Sequence, residues 1–181
     1  MSGFTIKPIF NKDQINKMYA KFRERVTQKI IMMLIRAGEF FVGHARQNGS
    51  YQNRTGNLRS SIGYVIVNNG IVVEMSNFDA IATQDRVILV DFIVNDGKYQ
   101  GRSKQRNVKI KGGTGETGAI DGKAFAMEIA SNYPNGIVLI CVAGMEYGKH
   151  VEAMGYDVIT GATIATEAFI KRDIVALMNK I

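Results

Sequence analysis

The sequence predicts an α+β protein in which a long N-terminal helix and a C-terminal helix pack on a mainly antiparallel β-sheet, with a long basic, glycine-rich arm between strands. Two segments, residues 11–47 and residues 162–180, show helical periodicity, and short apolar runs joined by turn residues lie between them. One pair of these runs has the sequence of a hairpin, which excludes a purely parallel sheet and favours helices laid on an antiparallel one. We expect residues 1–181 to form a single domain.

The first helical segment begins and ends with sequences typical of helix termini. Asn11 is a good N-cap residue, Gln14 completes a capping box, and Asn48-Gly49 is a fitting stop. At a rise of about 1.5 Å per residue the helix would be about 55 Å long. A small domain cannot cover that length, so we expect part of the apolar stripe to contact another subunit or another protein.

Four segments are predicted to be strands: residues 62–67, 71–75, 87–94 and 137–143. Asn69-Gly70, between the first two, is typical of a type I′ hairpin turn. The strands are apolar on both faces, whereas an antiparallel sheet with one wet face alternates apolar and polar residues. We therefore expect helices or a neighbouring molecule to cover both faces of the sheet.

Residues 95–122 are rich in glycine and in basic residues, and they are predicted to be a loop or a flexible hairpin arm before a short helix at about 123–131. The arm should be mobile in the free subunit and become ordered in an assembly. The alternation in residues 107–111 indicates a strand that adds to a partner's sheet. The cations expected to face a partner or DNA are Lys98, Arg102, Lys104, Arg106, Lys109 and Lys111.

Composition and charge narrow the possible classes of protein. The 181-residue chain is 46% hydrophobic with two prolines, as in a globular protein, and its net charge of +7 is compatible with a polyanionic partner. The one cysteine, Cys141, lies in an apolar run and should be a buried thiol. The first ten residues do not resemble a secretory signal, and no apolar run is long enough to span a membrane. We expect a soluble protein made in the cytoplasm.

The sequence offers little support for catalysis or for a bound cofactor. Residues 112–118 contain a G-x-G-x-x-G pattern, but a dinucleotide site would need it between a buried strand and a crossover helix. His44 lies on an apolar helix face, and His150 has no second ligand at metal-binding spacing. We therefore expect no cofactor, no metal and no enzymatic activity, with an enzyme using the glycine loop as the weakest alternative.

The segment "RTGNLRSSI", residues 54–62, links the first helix to the first strand and is interpreted as a structural corner. Thr55 can cap a short turn through its hydroxyl, and Gly56 permits the bend. Leu58 and Ile62 should fall on one side and anchor the corner to the core. Arg59 is expected to face outward.

Together with a second segment, "YGKHVEAMG", this corner resembles motifs of the tail-completion, or head–tail joining, proteins of tailed bacteriophages. The matching residues are Thr55, Gly56, Leu58, Arg59 and Ser61 in the first segment, and Tyr147, Gly148, Val151, Glu152 and Gly155 in the second. Together with Arg54, which precedes the first motif, they are expected to have structural or interface roles. The resemblance covers most of the chain, and the order of the two motifs is more specific than either motif alone. It implies a structural virion protein without catalytic residues.

The resemblance further implies a homo-oligomeric ring, six- or twelve-fold, in the phage neck between the portal-containing head and the tail. Portal or adaptor proteins, tail proteins and genomic DNA in the channel would be its partners, the virion its final location and the host cytoplasm its site of assembly. We also predict that Arg59 and Glu152 form an ion pair, with each other or across a subunit boundary. The alternative is a small basic nucleic-acid-binding protein that uses residues 96–111.

Overall fold

The computed structural model describes residues 11–93 and 103–179. These residues form five helices and five strands, and the predicted α+β class is confirmed. In chain order the elements are α1 (Lys12–Asn48), α2 (Asn57–Ser60), β1 (Ile62–Asn68), β2 (Ile71–Met75), β3 (Arg86–Ile93), β4 (Ser103–Ile110), α3 (Glu116–Ala130), β5 (Ile137–Ala143), α4 (Gly148–Ala153) and α5 (Thr160–Met178).

The central sheet contains three antiparallel strands in the order β2-β1-β5. The turn between β1 and β2 is the predicted one: Asn69 and Gly70 have φ angles of 50° and 79°, the left-handed values that a type I′ turn requires at both positions. Strand β1 pairs with β5 along its whole length, for example Val65 opposite Ile140. The middle strand is therefore the one that ties the sheet together.

Helices cover both faces of β1, as its apolar sequence predicts. On one face Ile62, Tyr64 and Ile66 pack in a core cluster with Met33 and Phe41 of α1, and α5 borders the same cluster. The opposite face packs against α3, in a second cluster that contains Val65, Val67, Ala126 and Ala130. The sheet is thus the middle layer between α1 and α5 on one side and α3 on the other.

Helix α1 begins with the predicted capping box, in which Asn11 and Gln14 each accept a hydrogen bond from the backbone near the other. Its buried residues run from Met33 to Ala45, whereas every residue from Lys12 to Arg25 is exposed. The helix was expected to be too long for its own domain to cover, and in the single subunit this is confirmed.

The remaining two strands, β3 and β4, pair only with each other in a second, two-stranded sheet. Of the two alternatives predicted for residues 95–122, a loop or a hairpin arm, the structure shows a hairpin at residues 103–110, and the predicted end of the arm is wrong. Residues 103–110 are a regular strand, and α3 begins at Glu116 rather than at about residue 123. Strand β4 pairs with β3 of its own chain, and the addition of this segment to a partner's sheet stays a prediction. Lys98 and Arg102 lie outside the described residues.

Candidate functional site

The two motifs meet on the surface of the subunit, where they line one open cavity of about 720 Å³. Its floor and walls come from the segment between α1 and α2, from α4 and from the turn that follows α4. The lining residues are Tyr51, Gln52, Asn53, Arg54, Thr55, Asn57, Leu58, Tyr147, Val151, Met154 and Tyr156. The cavity combines apolar side chains and three tyrosine rings with amides and one guanidinium.

The corner is built from local hydrogen bonds. The Thr55 hydroxyl accepts from the Asn57 amide at 3.5 Å, the capping role predicted for it. Gly56 has a φ of +83°, and a Cβ there would overlap the carbonyl of Ile81. A side chain at this position would therefore be excluded both by backbone conformation and by space.

Two serines that follow hold the corner in place, and sequence reasoning assigned neither of them a structural role. The Ser60 hydroxyl donates to the Gly56 carbonyl at 2.9 Å and accepts from the Ile81 amide at 2.8 Å. The Ser61 hydroxyl donates to the Leu58 carbonyl at 2.9 Å and accepts from the Met145 amide at 3.3 Å. Both serines are completely buried, so their hydroxyls have lost their contact with water. Each hydroxyl instead forms a hydrogen bond that links the corner to a loop distant in the sequence.

Leu58 and Ile62 are both buried, as predicted, but they do not share one side of the corner. Ile62 belongs to the α1-facing core, whereas Leu58 forms a third cluster with Tyr51 and Val158 that Val151 borders. The two motifs are therefore joined through an apolar contact of their own, separate from the main core.

Tyr147 lies where the two motifs meet. Burial raises the pKa of its phenol, and contacts with the Thr55 side chain and the Leu58 backbone lower that pKa in part. The same tyrosine also lines the cavity. A change at Tyr147 would thus alter both the corner and the cavity.

Arg59 does not face outward, which corrects the prediction. Its guanidinium carbon lies 6.0 Å from the centroid of the Tyr51 ring, and its Nε is buried without a hydrogen-bond partner among the described residues. The Tyr51 hydroxyl is likewise buried and makes no hydrogen bond of good geometry within the described residues. Burial raises the pKa of Tyr51, and the adjacent Arg59 side chain opposes that effect through its polar contact and its positive charge. Arg59 therefore contacts the Tyr51 ring, which lines the cavity.

Glu152 does not pair with Arg59 in the subunit, so that part of the prediction is also wrong. Its Oε1 accepts hydrogen bonds from the amides of Ile159 and Thr160 at 2.9 and 3.0 Å, from the Thr160 hydroxyl at 3.0 Å and from the Val158 amide at 3.4 Å. These are free amides at the start of α5, where a carboxylate is favoured. Burial acts to raise the pKa of Glu152, but these hydrogen bonds outweigh it and lower the pKa.

The other members of the motifs lie at the edges of this arrangement. Arg54 is exposed at the rim of the cavity, and its carbonyl accepts a hydrogen bond from the Thr83 hydroxyl at 2.7 Å. Gly155 ends the turn after α4 with a φ of +87°, and no atom lies near enough to contact a Cβ there. Gly155 is needed for backbone conformation and not for close packing.

The glycine-rich segment is a packing surface, and this is the feature that sequence reasoning missed. Gly118 and Gly122 of α3 lie against the backbone of Asn57 and Ser61, and a Cβ at Gly122 would be 2.6 Å from the Ser61 carbonyl oxygen. Small residues recur every four positions along α3, which places them on one side of the helix. That spacing in "ETGAIDGKAFAMEIA" could have indicated a close helix contact; instead it was interpreted as part of a flexible loop.

The β3–β4 hairpin carries different chemistry on its two faces, which follow from the strand register. We call one the cationic face; its members are Arg86, Ile88, Val90, Lys104, Arg106, Val108 and Ile110. We call the other the neutral face; its members are Val87, Leu89, Asp91, Ile93, Ser103, Gln105, Asn107 and Lys109. Lys109 lies 3.5 Å from Asp85, and Lys111 is exposed just beyond β4. Both faces expose apolar side chains.

A cluster of three or more potential metal ligands is absent from the part of the chain that the structure describes. Burial raises the pKa of the Cys141 thiol to about 12, which keeps it protonated and unreactive. His44 packs at 5.8 Å from the Phe40 ring, in keeping with its place on the apolar face. Across residues 11–93 and 103–179, none of the helices has the length and apolar character needed to cross a membrane.

Comparison with known proteins returned no matching family model, no similar curated protein and no similar solved structure. The relation to phage tail-completion proteins therefore stays a prediction that depends on the two motifs and on their order.

Proposed function

We propose that this protein is a structural virion protein that forms a homo-oligomeric ring in a phage neck and joins the portal-containing head to the tail. The support from the sequence is the pair of motifs around the corner and α4. The support from geometry is that both motifs line one cavity and that Glu152, Ser61 and Gly56 hold the surrounding loops. These residues position the loops around the cavity, which is the kind of role expected in a structural subunit.

The observation that carries the proposal is the amount of apolar surface that the subunit leaves uncovered in two separate places. One is the stripe on the first half of α1, where Met18 and Tyr19 are 72% and 65% exposed. The other is the β3–β4 hairpin, on which no helix packs within the described residues 11–93 and 103–179. Large exposed apolar patches on a soluble protein mark surfaces that contact other proteins. A ring subunit needs two such surfaces, one for each neighbour.

In this proposal the cavity receives a segment of an adjoining neck or tail protein. Its apolar walls supply contact area, while Arg54 and the amides at the rim fix orientation. The ring assembles in the host cytoplasm and remains in the virion, with portal or adaptor proteins on one side, tail proteins on the other and no membrane partner. Genomic DNA passes through its channel.

Measurement of mass and symmetry tests the proposal most directly. We expect the purified protein to form a closed ring by light scattering and by electron microscopy, with six or twelve subunits. In the phage that encodes it, loss of the protein should give filled heads and free tails that do not join. A strict monomer at all concentrations, together with normal joining in its absence, would contradict the proposal.

DNA binding is the second candidate, and the cationic face of the hairpin favours it. Arg86, Lys104 and Arg106 lie on one side of the two strands, a spacing that suits a phosphate backbone. The slope of log K against log salt is negative, and each lost phosphate contact should make it less steep by about 0.9. Binding of duplex DNA is therefore compared for the Arg106→Gln variant and for Lys149→Gln, a matched control on α4. A monomer that binds DNA with a steep salt slope, reduced only by Arg106→Gln, would favour this function over the ring.

A further inference from the structure

The two uncovered surfaces of the subunit complement each other. In the body of the molecule, apolar helix faces lie on apolar strands to make layers. In the part of the chain that the structure describes, no helix covers the β3–β4 hairpin and no sheet covers the first half of α1. An isolated two-stranded sheet is marginally stable in water, so a covering layer on the hairpin is expected on physical grounds.

The helix surface is a continuous stripe. Ile15, Met18, Tyr19 and Phe22 have the spacing of one helix face, and Val26 extends it towards the residues that pack on the central sheet. The side of α1 that covers the sheet farther along the chain therefore continues, uncovered, over the stripe. It has the same chemistry that already packs against β1.

The dimensions of the two surfaces agree. The uncovered part of α1, Lys12–Arg25, is about 21 Å long at a rise of about 1.5 Å per residue. Each strand of the hairpin has eight residues and is about 27 Å long at about 3.4 Å per residue. The helix stripe fits within the length of the hairpin.

Charge selects which face of the hairpin takes the helix. Five cations and two anions lie between Lys12 and Arg25, so the surroundings of the stripe are basic. The cationic face would bring three more positive charges against it, and like charges at a contact oppose binding. The neutral face carries Asp91 and one lysine, and its apolar residues Val87, Leu89 and Ile93 are about 60% exposed: 61%, 59% and 65%.

We propose that the neutral face of the β3–β4 hairpin is covered by the uncovered stripe of α1 from a second copy of this chain. The contact is heterologous, because each subunit offers its helix to one neighbour and its hairpin to the other. Repetition of a heterologous contact closes a ring when the rotation between subunits divides a full turn. The cationic face is then left free to turn towards the channel. The inference rests on the proposed ring, and it adds which surfaces form it.

Disulfide trapping tests the contact in the full chain. All variants carry Cys141→Ala, because Cys141 is the one native cysteine. The test variant adds Met18→Cys and Leu89→Cys, one on each proposed surface. The matched control adds Met18→Cys and Ile88→Cys, since Ile88 neighbours Leu89 in β3 and lies on the opposite face. Mild oxidation should give the test variant a ladder of covalent oligomers that ends at the subunit number of the ring. The control should lose that ladder.

Other outcomes have definite meanings. A ring by light scattering without an 18–89 disulfide would overturn this contact and leave the proposed function standing. A ladder from the control and not from the test variant would show that the helix takes the cationic face, and it would also overturn the inference. A crosslink within one chain would mean that the hairpin is covered by its own helix. A protein that stays monomeric at every concentration would contradict both the contact and the ring.

Discussion

Strand β1 of the central sheet and strand β3 of the hairpin are both mainly apolar, yet one is covered and the other is exposed. Strand β1 is apolar on both faces and has helices on both, so that every residue from Ile62 to Val67 is buried. Strand β3 is as apolar, yet every one of its residues whose burial the structure describes remains partly or fully exposed. The comparison teaches that an apolar strand predicts a layer of helices or strands packed on it. The strand's sequence does not indicate whether that layer comes from the same chain or from another one. Four changes can test that difference.

The largest effect is expected in the central sheet, from Tyr64→Ala. Tyr64 is almost completely buried between β1 and α1, and its hydroxyl donates to Glu39 at 2.9 Å. Loss of a large buried aromatic side chain typically costs about 3–5 kcal/mol in the free energy of unfolding. Chemical denaturation would measure it. A loss below about 1 kcal/mol would show that the sheet and helix are not the core of the subunit.

The next effect is expected at the corner, from Gly56→Val. A β-branched residue resists a φ of +83°, and strain of that kind costs about 1–3 kcal/mol before the overlap with Ile81 is counted. Gly155→Val is the matched control, because Gly155 also has a positive φ but has open space around it. The difference between the two variants in denaturation midpoint isolates the overlap. Equal midpoints would mean that the corner is not closely packed.

A smaller effect is expected from Glu152→Gln, which removes the charge at the start of α5. Charge at a helix terminus is worth about 0.3–1 kcal/mol. The pKa of Glu152 is lowered from its ordinary value of 4.5, so its contribution is present above that value and is lost as the pH falls through the lowered folded pKa. Denaturation of the wild type and the variant at pH 7 and near pH 3 should show a difference that shrinks at low pH. A constant difference would argue against a role for the charge.

The smallest effect on the subunit is expected from Leu89→Gln in the hairpin. An exposed substitution usually changes the free energy of unfolding by no more than about 0.5 kcal/mol. Oligomer formation should nevertheless be weakened, because Leu89 lies at the centre of the neutral face. Light scattering over a dilution series would measure the loss, with Asn107→Gln as a conservative control opposite Leu89. A variant that loses its fold instead would place the hairpin within the core.

The sequence predicted most of the fold because its evidence is local. The capping box at Asn11, the turn at Asn69-Gly70 and the apolar runs each act over a few residues, and all three are confirmed. The predicted cap at Thr55 and the bend at Gly56 are confirmed for the same reason. What failed is the identification of the partners that two sets of residues find in the fold.

Glu152 and the α3 glycines illustrate that failure. Charge alone suggested an arginine partner for Glu152, whereas the structure gives it backbone amides at the start of α5. Composition alone suggested mobility for the glycines, whereas Gly118 and Gly122 allow the backbone of α3 to approach the corner. In both places the partner is backbone, and a backbone partner can be any residue type, so no residue pattern in the sequence marks it.

The projection of α1 has a mechanical consequence. About 21 Å of helix extends past the part that packs on the sheet, and a helix of this length is stiff enough to tilt as a unit. A tilt of about 10° at its support would move the first turn by about 4 Å, as simple lever geometry on that length requires. The helix is a lever arm whose small rotations become displacements the size of a side chain. A ring held together by such arms could change its diameter while each body keeps its shape.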